Sequence, residues 1–151
     1  MKKRSNILTR QDQKEVRTIF KDILDLKNNW NQYNADSFDP KFVHEIQKNV
    51  LRLQYRPDCI VPTANDSIQI EYSCEECNNQ EIYLEIEFFT NHHIKMFYTI
   101  IDKGNNSQHI LVKKEIESIQ RDDYEKINRY AKTIKELAEE NEAKNVKSIS
   151  N

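Results

Sequence analysis

Apolar residues return every third or fourth position at both ends of the chain and every second position in its middle. Val16, Ile19, Phe20, Ile23 and Leu24, with Trp30 beyond them, predict an amphipathic helix from about Arg10 to Asn28. Thr9 followed by Asp12 reads as its capping box, with the acid also favourable at the positive end of the helix. A polar connection follows, Asn28-Asn29-Trp30-Asn31-Gln32-Tyr33-Asn34. Asp39-Pro40 then signals a second start, with Asp as N-cap and Pro suited to the first helical position. Phe42, Ile46, Val50 and Leu53 mark that helix, which ends before Arg56-Pro57.

Beyond Pro57 the period becomes two. Ile68, Ile70 and Tyr72 alternate with Gln69 and Glu71. Ile82, Leu84, Ile86 and Phe88 alternate with Tyr83, Glu85 and Glu87, and Ile94, Met96, Tyr98 and Ile100 with Lys95, Phe97 and Thr99. Each run predicts a strand with one apolar face. Short turns at Asn78-Asn79, Asn91-His92 and Lys103-Gly104-Asn105-Asn106 imply antiparallel neighbours, and Gln108 to Lys113 reads as a further strand. Helical spacing returns from about Asp122 through Ile127, Tyr130, Ile134 and Leu137. The order predicts an α+β domain: an antiparallel sheet of about four strands, with two N-terminal helices and one C-terminal helix. Residues 1–8 read as a flexible basic lead-in, 9–138 as the single domain, and 139–151 as a frayed or disordered tail.

Charge changes the picture more than composition does. Between Pro57 and Ile94 there is no Lys or Arg, while Asp58, Asp66, Glu71, Glu75, Glu76, Glu81, Glu85 and Glu87 all lie there. All 23 basic residues fall outside that stretch against 17 of the 25 acids, so the flanks carry +6 and the middle −8 beneath a net charge of −2. A one-signed surface steers oppositely charged partners. A single glycine, Gly104, rules out Walker and Rossmann phosphate loops, which need several. No apolar run approaches the roughly 18 residues of a membrane span, and Met1-Lys2-Lys3-Arg4 has no apolar segment behind it. The expectation is a cytoplasmic protein with three reduced thiols, Cys59, Cys74 and Cys77.

Cys74-Glu75-Glu76-Cys77 is half of a possible zinc site at a hairpin tip. His92 and His93 are a poor second half, because adjacent histidines on an extended strand diverge, and Cys59 would have to supply a further bond. The plainer reading is a turn with two ordinary cysteines. Glu71, Glu85 and Glu87 share the solvent side of their strands, which suits a soluble face better than acid/base catalysis. No Ser or Cys has an identifiable supporting histidine. The expected protein is therefore no enzyme, with no catalytic residue, resident metal or cofactor.

On that same polar side Tyr83, Phe89 and Phe97 interleave with the acids. Glu71, Glu81, Tyr83, Glu85, Glu87 and Phe97 are the candidate partner-binding residues, suited to a protein with a basic, nucleic-acid-binding groove. The rival surface is basic: Lys2, Lys3, Arg4 and Arg10 at the start, and Lys113, Lys114, Arg121, Lys126, Arg129, Lys132 and Lys135 near the end. Acids interspersed along the latter favour a solvated helix face.

Trp30-Asn31-Gln32-Tyr33-Asn34-Ala35 and Pro62-Thr63-Ala64-Asn65-Asp66-Ser67-Ile68-Gln69-Ile70-Glu71-Tyr72 together resemble a pattern in small bacterial and phage proteins of mostly unassigned role. There a W-x-x-Y-x-A segment precedes a helix, and a P-T-x-x-D-G-x-I-x-L-E-W segment forms the first strand. The chain departs from it at Asn34 and Ser67, where the pattern has glycines, and at Tyr72, where it has Trp. The resemblance implies a helix-then-sheet order and a mobile-element setting, and it carries over no catalytic residue. With a composition rich in Asn, Lys and Ile, it points to a non-enzymatic inhibitor of a nucleic-acid-handling protein, of the anti-CRISPR or antitoxin type. An RNA- or DNA-binding protein using basic termini, or a small zinc-stabilised domain, are the alternatives.

Overall fold

The computed structural model describes residues 8–77 and 79–150, and at residues 76, 77 and 145–150 the backbone only. Helix α1, Arg10–Leu24, starts where the sequence placed it: the Thr9 hydroxyl accepts from the Asp12 N–H at 3.0 Å, and the Asp12 carboxylate accepts from the Thr9 N–H at 3.3 Å. It ends short of Asn28 because the asparagines form a loop of their own. Asn28 accepts from the Ser37 N–H, Asn29 from Asn34, and Asn31 from both Tyr33 and Ala35. These side chains satisfy backbone donors that no strand or helix could reach. Helix α2, Pro40–Leu51, is capped by Asp39, whose carboxylate accepts from the Lys41 N–H at 3.1 Å.

Five strands follow, β1 (Cys59–Thr63), β2 (Ser67–Cys77), β3 (Gln80–Phe89), β4 (Ile94–Asp102) and β5 (Ser107–Ile116). They form one antiparallel meander in sequence order. The count corrects the expected four. β1 escapes the alternation test because it is short and carries Pro62, which lacks an N–H and is tolerated on an edge strand. Helix α3, Arg121–Ser150, continues past 138, and Glu139, Glu140 and Glu142 on it are exposed.

All three helices bury their apolar sides on one face of the sheet. Phe20 and Ile23 of α1, Ile46 of α2 and Ile127 and Ile134 of α3 join Ile70, Leu84, Ile86, Met96 and Tyr98 in one core. Tyr72 is fully enclosed there, and its hydroxyl donates to the Tyr55 carbonyl at 2.5 Å. Trp30 packs half-buried at the margin, with its indole N–H donating to the Asp36 carbonyl at 3.0 Å.

One expectation about the thiols fails. Cys59 is free, but Cys74 is disulfide-bonded.

Candidate partner-binding face

Because side chains alternate across a strand, burying Ile70, Leu84, Ile86 and Met96 obliges the residues between them to face away from the helices. The register then sets their neighbours. One row across the sheet reads Cys59, Glu71, Glu85, Phe97, Lys113, and the next reads Val61, Gln69, Glu87, Lys95, Glu115. Tyr83 lies one row over, between Ser73 and Thr99. Glu81 continues the same face towards the hairpin end of β3. The six residues singled out in the sequence therefore share one face, and among the described residues no helix covers it.

The face is braced from within. Tyr83 and Phe97 meet edge to face with ring centroids 6.2 Å apart. The Tyr83 hydroxyl donates to Glu85 Oε1 at 3.0 Å, and the Gln69 amide donates to the same oxygen at 2.5 Å. The Ser67 hydroxyl donates to Glu87 Oε2 at 2.5 Å. These uncharged donors hold both carboxylates in place. Partial burial, then the bond to Glu85, pushes the Tyr83 phenol well above its ordinary value, so it stays a neutral donor. Partial burial also raises the Glu71 carboxyl, helped by Glu85, Asp58, Glu81 and Glu75. Partial burial and then Glu71 and Asp58 raise the Cys59 thiol, which makes it a poor nucleophile.

The acidic field has a border. Glu87 faces Lys95 across the β3–β4 pair, and Phe97 faces Lys113 across the β4–β5 pair. Lys95 lies 5.3 Å from the Phe89 ring centroid and 3.7 Å from Glu115. An open groove of about 690 Å³ runs along this border, lined by Tyr83 and Phe97 with Glu85 and Glu87 on one side and Lys95 and Lys113 on the other. This groove was not legible from the residues alone, because which lysines stand beside Glu85 and Glu87 depends on strand pairing. Ser67 and Gln69 were legible in principle, since they alternate in phase with Glu71.

Among the described residues, those of the zinc alternative are not brought together. Cys74 is buried on the helix-covered face and disulfide-bonded, whereas Cys59 lies on the opposite face. His92 and His93 stand exposed in the β3–β4 turn, at the far end of β3 from Cys74, which pairs with Ile82. Six residues of strand separate Ile82 from Phe88, about 20 Å at the usual rise. Among the described residues no cluster of three or more His, Cys, Asp or Glu could hold a metal.

The C-terminal basic residues are largely matched by acids. Arg121 pairs with Glu125, Lys132 with Glu136, Lys135 with Asp58 at 2.5 Å, and Lys114 with Asp123 at 2.9 Å. Lys2, Lys3 and Arg4 lie outside the described residues. No described helix is long and apolar enough to cross a membrane. No protein-family model, curated protein or solved structure matches the chain.

Proposed function

We propose that this chain is a non-enzymatic binding protein that inserts its uncovered sheet face into the basic groove of a nucleic-acid-handling protein. It would act as an inhibitor of the anti-CRISPR or antitoxin type, encoded by a phage or mobile element. The observation that carries the reading is the grouping of Glu71, Glu81, Glu85 and Glu87 with Tyr83 and Phe97 on a face that no helix covers among the described residues. Carboxylates spaced along a sheet present a negative surface where a groove expects phosphates, and the edge-to-face aromatic pair supplies an apolar anchor. Hydrogen bonds from Tyr83, Gln69 and Ser67 hold Glu85 and Glu87 before any partner arrives, which lowers the ordering cost of association.

The test is displacement. The target is first captured from host cells with wild-type protein and identified by mass spectrometry. It is then loaded with a labelled oligonucleotide and titrated with this protein. Wild type should release the oligonucleotide, and the E85K/E87K variant should not. Stable binding to the target without any release would contradict the inhibitor reading.

A further inference from the structure

The helix layer carries a second charged surface, of opposite sign, which lies beyond the reading above and does not depend on it. On α1, Arg10, Lys14, Arg17 and Lys21 follow one another at four, three and four residues. At 3.6 residues per turn they fall within roughly 60° of arc, one above the next along the helix. All four are exposed, and among the described residues none has an ion-pair partner within 4.0 Å.

The acids of the same helix are placed elsewhere. Asp12 serves the cap with Thr9, Glu15 pairs with Arg56, Asp22 is off the line, and Asp25 lies beyond its C-terminal end. A shallow depression of about 340 Å³ runs beside the line, with Gln13 and Thr18 in its lining. This segregation separates α1 from α3, where i,i+4 acids meet Arg121 and Lys132.

The dimensions suit a polyphosphate. Eleven residues of helix span about 16 Å, and one strand of a duplex carries a phosphate for about every 3.4 Å of axis. Four cations thus face about five phosphates. The opposite side of α1 is committed to the core, with Val16 and Phe20 at 0% exposure and Ile23 at 3%, so the helix has no free apolar side to sink into a lipid bilayer.

We infer that the line Arg10, Lys14, Arg17, Lys21 is a docking surface for the backbone of a nucleic acid, bound without base reading. Four neutralised phosphates give a slope of log affinity against log salt of about −3.6. Affinity should then fall on the order of 100-fold between 50 and 200 mM salt.

The experiment titrates the full chain into a fluorescein-labelled 20-base-pair duplex of mixed sequence across that salt range, and in parallel into vesicles containing anionic phospholipid. Wild type should bind the duplex with the stated slope. The K14Q/K21Q variant should lose about half of the slope. The R10Q/K14Q/R17Q/K21Q variant, its fold checked by thermal melting, should lose nearly all of it. If the fourfold variant does not fold, the twofold variant decides. Absence of duplex binding, a wild-type slope no steeper than −1, or variants that keep the wild-type slope would each overturn the inference. So would binding to the anionic vesicles alone, which would assign the line to a membrane surface.

Discussion

Glu71 is partly buried, and Glu85, Asp58, Glu81 and Glu75 lie within electrostatic reach and add to the effect of that burial. Its carboxyl is therefore raised in the folded protein, and the sign of the consequence follows. A group whose folded value exceeds its unfolded one contributes most to stability below the unfolded value, and that contribution is lost as pH rises through the folded value. At neutral pH the Glu71 charge works against folding. Glu71→Gln should raise the melting temperature at pH 7, and the gain should vanish as the pH approaches 4. An unchanged or lower melting temperature at pH 7 would show that Glu71 is better solvated than this.

Backbone conformation at single residues also follows from composition. With one glycine in the chain, the left-handed positions are taken by others: Asn29, Gln32, Asn34, Asp66, Asn79, His92 and Asn106 all have φ between 55 and 71°. Asparagine and aspartate tolerate that region better than most side chains, which accounts for the Asn-rich turns. Trp30 is half-buried rather than enclosed, although its indole does find an acceptor, and Tyr33 at the loop tip is 86% exposed. Tyr33→Ala should therefore change stability by less than about 0.5 kcal/mol in a denaturant titration.

At the scale of elements, β3 organises the molecule. Leu84 and Ile86 have no exposed surface, while Tyr83, Glu85 and Glu87 on the same strand form the outer face. Leu84→Ala or Ile86→Ala should cost about 2–5 kcal/mol, read as a lower denaturation midpoint. A null effect would contradict the register. The start of α3 is held by Asp123, which accepts from the Gln120 N–H and from Lys114, both at 2.9 Å. Burial alone would raise this carboxyl, but those two partners and Lys126 outweigh it and hold it below the ordinary value. Its contribution is present above the unfolded value and lost as pH falls through the folded one. Asp123→Ala should destabilise by about 1–3 kcal/mol at pH 7, and by less in acid.

Strands β2, β3 and β4 and all three helices were legible because each buries one side against one core, which forces a clean period of two or of 3.6, whereas β5 buries none of its residues and was legible only from the turn before it. β1 was not, because Pro62 disguises a strand of only five residues. The end of α1 was misplaced for a related reason: Asn28 to Asn34 continue a polar run whose side-chain bonds become visible only once folded.

Over the whole molecule the charge is segregated, with Glu71, Glu81, Glu85 and Glu87 on the uncovered sheet face and Arg10, Lys14, Arg17 and Lys21 in the helix layer behind it. The acidic side could be read directly, since no cation interrupts Pro57 to Ile94. The basic line could not, because α1 also carries Asp12, Glu15, Asp22 and Asp25, and only the folded structure shows which of them are engaged elsewhere. The border at Lys95 and Lys113 depended in the same way on strand pairing.

The central claim is that the outer sheet face makes the contact with a basic partner. Its most direct test is the association rate of wild type and E85K/E87K with the captured target, measured at 50 and 200 mM salt. Wild type should associate fast and slow down markedly with salt, because rim charges act mainly through encounter. The double reversal should associate at least tenfold more slowly at low salt, with little salt dependence left, while its melting temperature stays close to that of wild type. Equal rates and equal salt dependence for the two proteins would contradict the account and leave the face a solubilising surface.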